Sequence, residues 1–357
     1  MSNKKEVRRK KAKRKNRVGL IIFIVIIAIL LGICIFAWSL INGRLSKLNK
    51  KEIDKTDLEV NENLKEEVKD LVTKDEFDDI VTIALFGSDS RDVNNMSYGR
   101  ADSIIIASLN PKDKSIKLIS IPRDTYVNIP GYGYDKINHS YAYGGEQLLI
   151  KTINNNFGLA ITEYATVDFL GLANIINALG GIDLDVSQAE LNIINDYLKE
   201  IYYLEGKPYQ AMTNVGRVTL TGEQAVAHCR DRYVGSDFDR QRRQREVITA
   251  TIEKASKLSV DKMLGVLDIA LSQITTNVDV TSYLGKITNV FTNINEYKNH
   301  IISKQIPNEE YGDGKMIDGI YYFAADMDTS KSEFAKALYS TIETDVNKEE
   351  LALEDDK

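Results

Sequence analysis

The sequence lacks the motifs that mark the commonest catalytic sites. It has no G-x-x-x-x-G-K-[ST] phosphate loop, no G-x-S-x-G nucleophile motif, no H-E-x-x-H zinc motif and no C-x-x-C pair. Its three histidines are too few and too scattered to indicate a zinc site. These absences argue against P-loop, nucleophile-elbow and common zinc chemistry, and they leave carboxylate and guanidinium groups as the candidate site chemistry.

Positive charge is concentrated at the N-terminus. The chain has a net charge of −6, but residues 1–17 hold ten Lys or Arg and one Glu, so this arm is +9 and the remainder is −15. Such an acidic remainder argues against a nucleic-acid-binding domain. The arm is interpreted as a cytoplasmic segment that orients the chain in a membrane.

Residues 18–41 form the one long apolar run. These 24 residues carry no charge, and a helix of this length spans about 36 Å, enough to cross a hydrocarbon core of about 30 Å. No convincing cleavage site follows, so the run is predicted to be an uncleaved signal anchor with the C-terminal part outside the cell. Of the two cysteines, Cys34 lies in this run and Cys229 lies far beyond it, so an intrachain disulfide is not expected.

The remaining residues divide into three predicted regions. Residues 42–79 are rich in Lys, Glu and Asp and are interpreted as an extracellular polar stalk, residues 80–342 as a folded domain, and residues 343–357 as an acidic tail. Strand-like and helix-like stretches alternate in the folded domain, which indicates a layered α/β or α/β/α fold. SIIIASLN-PKD-KSIKLISIP predicts a β-hairpin, whereas GKMIDGIYYFAAD is assigned to one late strand.

Three loops at predicted strand ends each carry an arginine and an aspartate. They are Asp89 and Arg91 in GSDSR, Arg100 and Asp102 in GRADS, and Arg123 and Asp124 in SIPRDT. Loops at strand ends are where α/β folds place ligands. Carboxylates without a neighbouring thiol or imidazole suit a hard cation such as Mg²⁺, or Mn²⁺, that also takes phosphate oxygens. Lys136, before a predicted helix, is a further candidate anion contact.

The segment CRDRYVGSDFDRQRRQRE, residues 229–246, holds six arginines. Guanidinium groups make paired hydrogen bonds to phosphate oxygens, and a helix N-terminus adds amides and partial positive charge. Arg240 and Gln244 are spaced i, i+4 and so share a helix face. Arg242 and Arg245 fall off that face and are expected to be solvated or paired with acids.

Five sequence stretches occur in a fixed order: FGSDSR, GRADSIIIASLNP, SIPRDTYVNIPG, KINHSYAYGG and LTGEQAVAHCRDRY…DFDRQRRQREVI. Together they resemble the motifs of the LytR-CpsA-Psr family of cell-wall proteins. The resemblance implies an α/β/α domain with a mixed central sheet and an apolar cleft for a polyprenyl tail. It also implies a membrane-anchored, extracellular phosphotransferase, in a bacterium that is typically Gram-positive. The enzyme would move teichoic acid, capsule or another glycopolymer from an undecaprenyl-pyrophosphate carrier to peptidoglycan.

The resemblance also assigns roles to individual residues. Asp89 and Asp102 would hold Mg²⁺, and Asp89 is the candidate general base. The residues expected to take part in catalysis are Asp89, Arg100, Arg230 and Arg232. The pyrophosphate contacts would be Arg100, Arg123, Arg230, Arg232, Arg240 and Gln244, with Arg91 and Arg243 as supporting or structural residues. Lys136 stays a candidate contact on the sequence pattern alone. The family often has glycine where this chain has Asp239, and that carboxylate is expected at most to cap a helix.

Two alternative functions remain open. Water in place of a sugar hydroxyl would make the chain a polyprenyl-pyrophosphate pyrophosphatase. A membrane-tethered regulator of wall or capsule expression is the other alternative, although about 17 cytoplasmic residues are too few for a fold that reads DNA.

Overall fold

The structure is a computed structural model that describes residues 47–88, 99–204, 206–230, 236–283, 285–286, 289 and 292–341. The chain divides into two compact units. The sheet unit comprises Glu52–Ala165 and the residues from Asn295 onward, and the helical unit comprises Thr166–Ile294 with the described residues up to Lys51. Each unit has its own hydrophobic core.

The strands are numbered in chain order. They are β1 (Asn49–Lys50), β2 (Val81–Ser88), β3 (Ala101–Asn110), β4 (Ser115–Ser120), β5 (Tyr126–Ile129), β6 (Gly133–Lys136), β7 (Tyr164–Asp168), β8 (Ile182–Val186), β9 (Gly216–Leu220), β10 (Ile274–Thr276), β11 (Ile301–Gln305), β12 (Gly312–Ile317) and β13 (Ile320–Ala325).

The α-helices within the described residues are numbered in the same way. They are α1 (Leu64–Glu67), α2 (Lys74–Asp79), α3 (Ile137–Phe157), α4 (Phe169–Ala178), α5 (Gln188–Leu204), α6 (Gly222–Arg230), α7 (Asp237–Ala255), α8 (Val260–Gln273), α9 (Ile294–Tyr297) and α10 (Met327–Tyr339). Strands and helices alternate along much of the chain, which confirms the predicted α/β class.

The sheet unit is built on a mixed β-sheet, as expected. β3 pairs antiparallel with β2 and β4, whereas β11 runs parallel to β4. β7, which begins in this unit, lies beyond β2. Most of β3 and all of β4 are buried, as befits strands covered on both faces. Helices α3 and α10 add apolar side chains to the same core, and Phe157 contacts Phe334 with ring centroids 4.8 Å apart. The three-layer arrangement and the apolar cleft stay predictions.

The residues before β2 were predicted to form a polar stalk, but several of them pack into the folded core. Leu58, Leu64, Val68 and Val72 are buried in the core of the sheet unit. Leu64, Val68 and Val72 recur every four residues, so they share one face even though charged residues separate them. The folded part of the chain therefore begins well before residue 80.

The predicted single late strand is a hairpin. β12 and β13 pair antiparallel, and Asp318 and Gly319 connect them with φ of 50° and 79°. Positive φ at both turn positions is typical of a tight hairpin turn, and Asp-Gly is one of its strongest sequence signals. The predicted β3–β4 hairpin is confirmed.

The helical unit packs α4, α5, α6 and α7 with the antiparallel β8–β9 ribbon. Its core includes Ile194, Leu198, Val226 and Val247. β1 pairs with β10 in parallel. Helix α6 begins with reciprocal bonds between Thr221 and Gln224: each backbone N–H donates to the other side chain, at 3.0 and 3.3 Å. This capping box also follows from the sequence.

Several predicted regions lie outside the described residues, namely 1–17, 18–41 and 343–357. Within the part of the chain that the structure describes, we find no helix with the length and apolar character needed to cross a membrane. Cys229 is buried and free, and burial raises the pKa of its thiol to about 12. A buried thiol of this kind is a packing group rather than a nucleophile.

Candidate functional site

The predicted site residues divide among the two units and the residues outside the description. Asp89, Arg91 and Arg232 lie outside the described residues. The sheet unit contains Arg100, Asp102, Arg123 and Lys136, and the helical unit contains Arg230, Arg240, Arg243 and Gln244.

A chain of ion pairs runs through the first set. Arg123 follows β4, and its Nη1 donates to Oδ1 of Asp102, in β3, at 2.8 Å. Nε of Arg123 lies 3.4 Å from Oδ2 of Asp124, whose Oδ1 accepts from Nζ of Lys136 at 2.7 Å. The antiparallel pairing of β3 with β4 brings residues 21 positions apart into contact. Two of the predicted strand-end loops therefore meet, and their charges alternate in sign.

Backbone bonds fix this chain of ion pairs. The N–H of Asn138 donates to the carbonyl of Arg123 at 3.2 Å, and the N–H of Phe323 donates to the carbonyl of Asp124 at 2.9 Å. Lys136 also places its Nζ 5.7 Å from the ring centre of Tyr322, a distance at which a cation is attracted to an aromatic face. Arg100 is exposed directly before β3.

Asp135, which directly precedes Lys136, is a further charged residue of this region that the sequence pattern did not single out. Its Oδ2 lies 2.8 Å from Nδ1 of His139 and accepts from the hydroxyl of Tyr143 at 2.7 Å. Burial raises the pKa of Asp135, but the bonds from His139 and Tyr143 outweigh it, so the pKa is lowered. The bond to Asp135 raises the pKa of Tyr143. The i, i+4 spacing of Asp135 and His139 was the available signal.

Arg230 ends helix α6 and contacts two aromatic rings. Its guanidinium carbon lies 5.3 Å from the ring centre of Phe169 and 5.1 Å from that of Tyr197. Its Nη2 donates to both carboxylate oxygens of Glu200 at 3.4 Å, a long distance for a charge-assisted hydrogen bond. Arg230 is thus held in position mainly by ring faces, which do not occupy its N–H groups.

Helix α7 carries the remaining arginines. Arg240 and Arg243 are 2% and 1% exposed, and Gln244 is also buried. Nη1 of Arg243 lies 3.9 Å from Oε1 of Glu190. Burying guanidinium groups costs free energy unless negative groups compensate. Their burial distinguishes these residues from a salt-bridged surface segment.

The other two arginines of α7 behave differently from each other. Arg242 is exposed and its Nη1 donates to Glu246 at 2.7 Å, as predicted. Arg245 is half-buried rather than solvated, and burial lowers its pKa. Of the two expectations for Arg245, solvation or pairing with an acid, its burial disfavours the first.

Asp239 caps helix α7. The backbone N–H and the hydroxyl of Ser236 donate to Oδ2 of Asp239 at 2.8 and 3.1 Å, and the N–H of Asp239 donates to the Ser236 hydroxyl at 3.3 Å. This reciprocal pair satisfies amides at the helix start and places a carboxylate at its positive end. The amides of Ser236 and Asp239 are therefore already engaged at this N-terminus.

Among the residues that the structure describes, no group of three or more His, Cys, Asp or Glu side chains could hold a metal ion. Asp102, one of the two predicted metal ligands, is bonded to Arg123.

The fold and these residues define an α/β protein with acidic and basic strand-end loops and with buried arginines on helix α7. The family model described as the LytR_cpsA_psr family matches residues 44–341, and the chain belongs to this family.

Known relatives include wall enzymes. The chain is 35% identical over 240 residues to polyisoprenyl-teichoic acid–peptidoglycan teichoic acid transferase TagU of Enterococcus faecalis, covering 66% of this chain and 72% of the relative. Among solved structures, TagT bound to LI-WTA matches with a TM-score of 0.57 and 28% identity, over 75% of this chain and 96% of that one. The LytR-CPS2A-psr family protein YwtF (TagT) with bound octaprenyl pyrophosphate lipid matches with a TM-score of 0.53 and 26% identity, over 81% and 93%.

Proposed function

We propose that this protein is a membrane-anchored, extracellular phosphotransferase that moves a glycopolymer from an undecaprenyl-pyrophosphate carrier to peptidoglycan. The observation that carries the proposal is Arg230, whose guanidinium contacts two aromatic rings, together with the buried Arg240 and Arg243 of α7. Relatives named as teichoic acid transferases, and one structure named for a bound polyprenyl pyrophosphate, support the same chemistry.

Arg230 is the principal phosphate ligand in this proposal. Ring faces and a long ion pair hold its guanidinium, so N–H groups can turn to a phosphate without breaking a short carboxylate bond. A positioned cation stabilises charge that spreads over phosphate oxygens during phosphoryl transfer. Arg240 and Gln244, with Arg232, assist it, and Arg243 supports α7.

The basic residues of the sheet unit are also proposed as phosphate contacts. Arg100 is exposed and so can reach a ligand directly. Arg123 and Lys136 are bonded to Asp102 and Asp124, which orients both cations but engages part of their donor capacity. Arg91 is a further supporting residue.

Asp89 and Asp102 are the proposed ligands of Mg²⁺. Protein sites usually hold Mg²⁺ through one or two carboxylates together with substrate phosphates, so the described residues need not supply a cluster of three acids. The carboxylate oxygens of Asp102 are of the kind that binds Mg²⁺ in this way. Bound Mg²⁺ would neutralise charge on the phosphates.

The proposed reaction is a displacement at phosphorus. A sugar hydroxyl oxygen of the wall forms a bond to the phosphorus attached to the glycopolymer, and the bond from that phosphorus to the bridging oxygen breaks. Polyprenyl phosphate leaves with the bonding electron pair, and the hydroxyl proton passes to a base, for which Asp89 is the candidate. An anchor at residues 18–41 would raise the effective concentration of a membrane-bound donor.

Product analysis tests this proposal. Full-length protein in detergent, with Mg²⁺, is given a polyprenyl-pyrophosphate-linked saccharide and soluble peptidoglycan fragments, and products are identified by mass spectrometry. We expect a covalent saccharide–phosphate–peptidoglycan product and polyprenyl phosphate. Saccharide phosphate released in equal amount with and without the acceptor would instead identify a pyrophosphatase, and an absence of both products would contradict the proposal.

A further inference from the structure

Five tyrosines of the sheet unit form a connected group, which we call the tyrosine platform: Tyr126, Tyr132, Tyr134, Tyr143 and Tyr322. Ring centroids lie 5.2 Å apart for Tyr126–Tyr134, 4.8 Å for Tyr126–Tyr322 and 4.7 Å for Tyr132–Tyr143. These contacts define a group of three rings, with Tyr126 at its centre, and a separate pair, Tyr132 and Tyr143. Asp135 links the two sets, because it accepts hydrogen bonds from Tyr143 at 2.7 Å and from Tyr322 at 3.5 Å. The phosphate chemistry proposed above does not use these rings.

Three of the five platform rings face solvent, whereas Tyr322 is buried. Tyr132, Tyr134 and Tyr143 are 59%, 66% and 42% exposed. A cluster of exposed aromatic rings usually marks an interaction surface. Tyr126 and Tyr134 lie on the paired strands of the β5–β6 hairpin and Tyr132 lies in its turn, where Gly131 and Gly133 on either side have φ of 82° and 83°, which other residues rarely adopt. The backbone that carries these three tyrosines is therefore defined by the hairpin.

One end of the platform adjoins the predicted phosphate-binding residues. Lys136 contacts the ring of Tyr322 and donates to Asp124, which lies next to Arg123 in the chain of ion pairs. Tyr322 itself is buried, so a molecule lying on the exposed rings would lie near this end of the platform and not on it. This position suits a group that reacts with a bound phosphate.

We propose that the tyrosine platform binds an uncharged pyranose chain, which under the proposed function is the acceptor glycan of the wall. The C–H faces of sugar rings match the electron-rich faces of tyrosines. His139, beside the ring of Tyr143, and the tyrosine hydroxyl groups can exchange hydrogen bonds with sugar hydroxyl groups.

The carboxylate between the rings, away from the cations at the Tyr322 end, favours a neutral sugar over a polyanionic wall polymer. The carboxylate of Asp135 lies at the centre of the rings, and its lowered pKa keeps it ionised at neutral pH. A carboxylate accepts hydrogen bonds from hydroxyl groups and repels phosphates. The acceptor strand is therefore a better match than the donor polymer.

Binding of chitotetraose, a neutral β-1,4-linked N-acetylglucosamine tetramer, tests the inference. Full-length protein in detergent is titrated without donor lipid, and affinity is measured by calorimetry. We expect Tyr134→Ala and Tyr132→Ala each to weaken binding by about fivefold, because each removes one stacking face. Tyr134→Phe should bind nearly as well as the wild type, because it retains the ring.

Tyr203→Ala is the matched control, since Tyr203 is 84% exposed on α5 in the helical unit, and its affinity should equal that of the wild type. Undetectable binding to the wild type, or equal affinities in all variants, would overturn the inference. So would displacement of the tetramer by a glycerol-phosphate oligomer, which would identify the donor polymer as the occupant.

The test separates this inference from the proposed function, on which it rests only for the identity of the glycan. Sugar binding that depends on Tyr134, in a protein that transfers nothing, would retain the platform and contradict the transferase. If the protein transfers saccharide to peptidoglycan and Tyr134→Ala leaves the sugar affinity unaltered, the transferase is retained and the platform is contradicted.

Discussion

Arg123 in the sheet unit and Arg230 in the helical unit carry the same charge, but they are held differently. Arg123 donates to Asp102 at 2.8 Å and adjoins Asp124 at 3.4 Å, whereas the bonds of Arg230 to Glu200 are 3.4 Å long and two aromatic rings contact its guanidinium. Short charge-assisted bonds are the strong ones and engage the donor. The comparison indicates that Arg123 organises its surroundings, while Arg230 is available to a ligand.

The largest expected effect is that of removing Arg230. We expect Arg230→Ala to lower the rate of saccharide transfer by about 100-fold, because a donor aimed at developing charge contributes on this scale. The rate of lipid-linked saccharide consumption measures it. Arg242→Ala removes an exposed arginine that is bonded to Glu246, so it should transfer at the wild-type rate. If Arg230→Ala transferred saccharide at a rate within twofold of that of Arg242→Ala, the proposed difference between Arg230 and a carboxylate-bonded arginine would be contradicted.

A buried arginine of α7 should affect the fold more than the surface arginine beside it. Arg243→Met removes a fully buried cation near Glu190, so we expect the free energy of unfolding to fall by about 2 to 3 kcal/mol. Denaturant titration measures this, with Arg242→Met as the control, for which we expect a change within about 0.5 kcal/mol. Equal stabilities would mean that Arg243 does not support the helix.

The cap of α7 should contribute less. Asp239→Ala removes the carboxylate that accepts from Ser236, and we expect a loss of about 1 kcal/mol in the free energy of unfolding. Saccharide transfer should stay within about twofold of the wild-type rate, since the capping role accounts for this carboxylate. A large loss of transfer with unchanged stability would instead place Asp239 in the reaction.

The smallest effect concerns pH and the sheet unit. The folded pKa of Asp135 is below its ordinary value, so its ionised form stabilises the fold above the unfolded pKa, and that contribution is lost as pH falls through the folded value. We therefore expect the melting temperature of Asp135→Asn to fall less steeply than that of the wild type below about pH 4. The melting temperature of Asp70→Asn, a change at an exposed residue, should vary with pH as that of the wild type does. Identical curves of melting temperature against pH for all three proteins would show that ionised Asp135 does not stabilise the fold.

Features set by local chemistry could be predicted from the sequence. The capping box at Thr221 and the hairpin of β3 and β4 depend on neighbouring residues, and the structure confirms both. The pairing of β8 with β9 could not be predicted, because all of α5 separates two strands that are polar on one side. The buried face of Leu64, Val68 and Val72 was hidden by the charged residues between them.

The site was predictable as residue types but not as contacts. Spacing marked Arg123, Asp102 and Lys136 as candidates, yet nothing in the sequence indicates that Asp102 bonds to Arg123 or that Lys136 lies over Tyr322. Such contacts depend on strand register and on the β12–β13 hairpin, which was taken for one strand. The role of Asp135 was missed for the same reason.

Affinity for octaprenyl pyrophosphate tests most directly whether Arg230 is available to a phosphate ligand, in contrast to an arginine that is bonded to a carboxylate. It is measured for the full-length wild type, Arg230→Ala and Arg242→Ala at one fixed salt concentration. We predict that Arg230→Ala weakens binding by about tenfold or more, as expected for the loss of a charge-assisted phosphate contact, while Arg242→Ala binds as the wild type does. Equal affinities in all three proteins would contradict the account of Arg230 as the phosphate ligand.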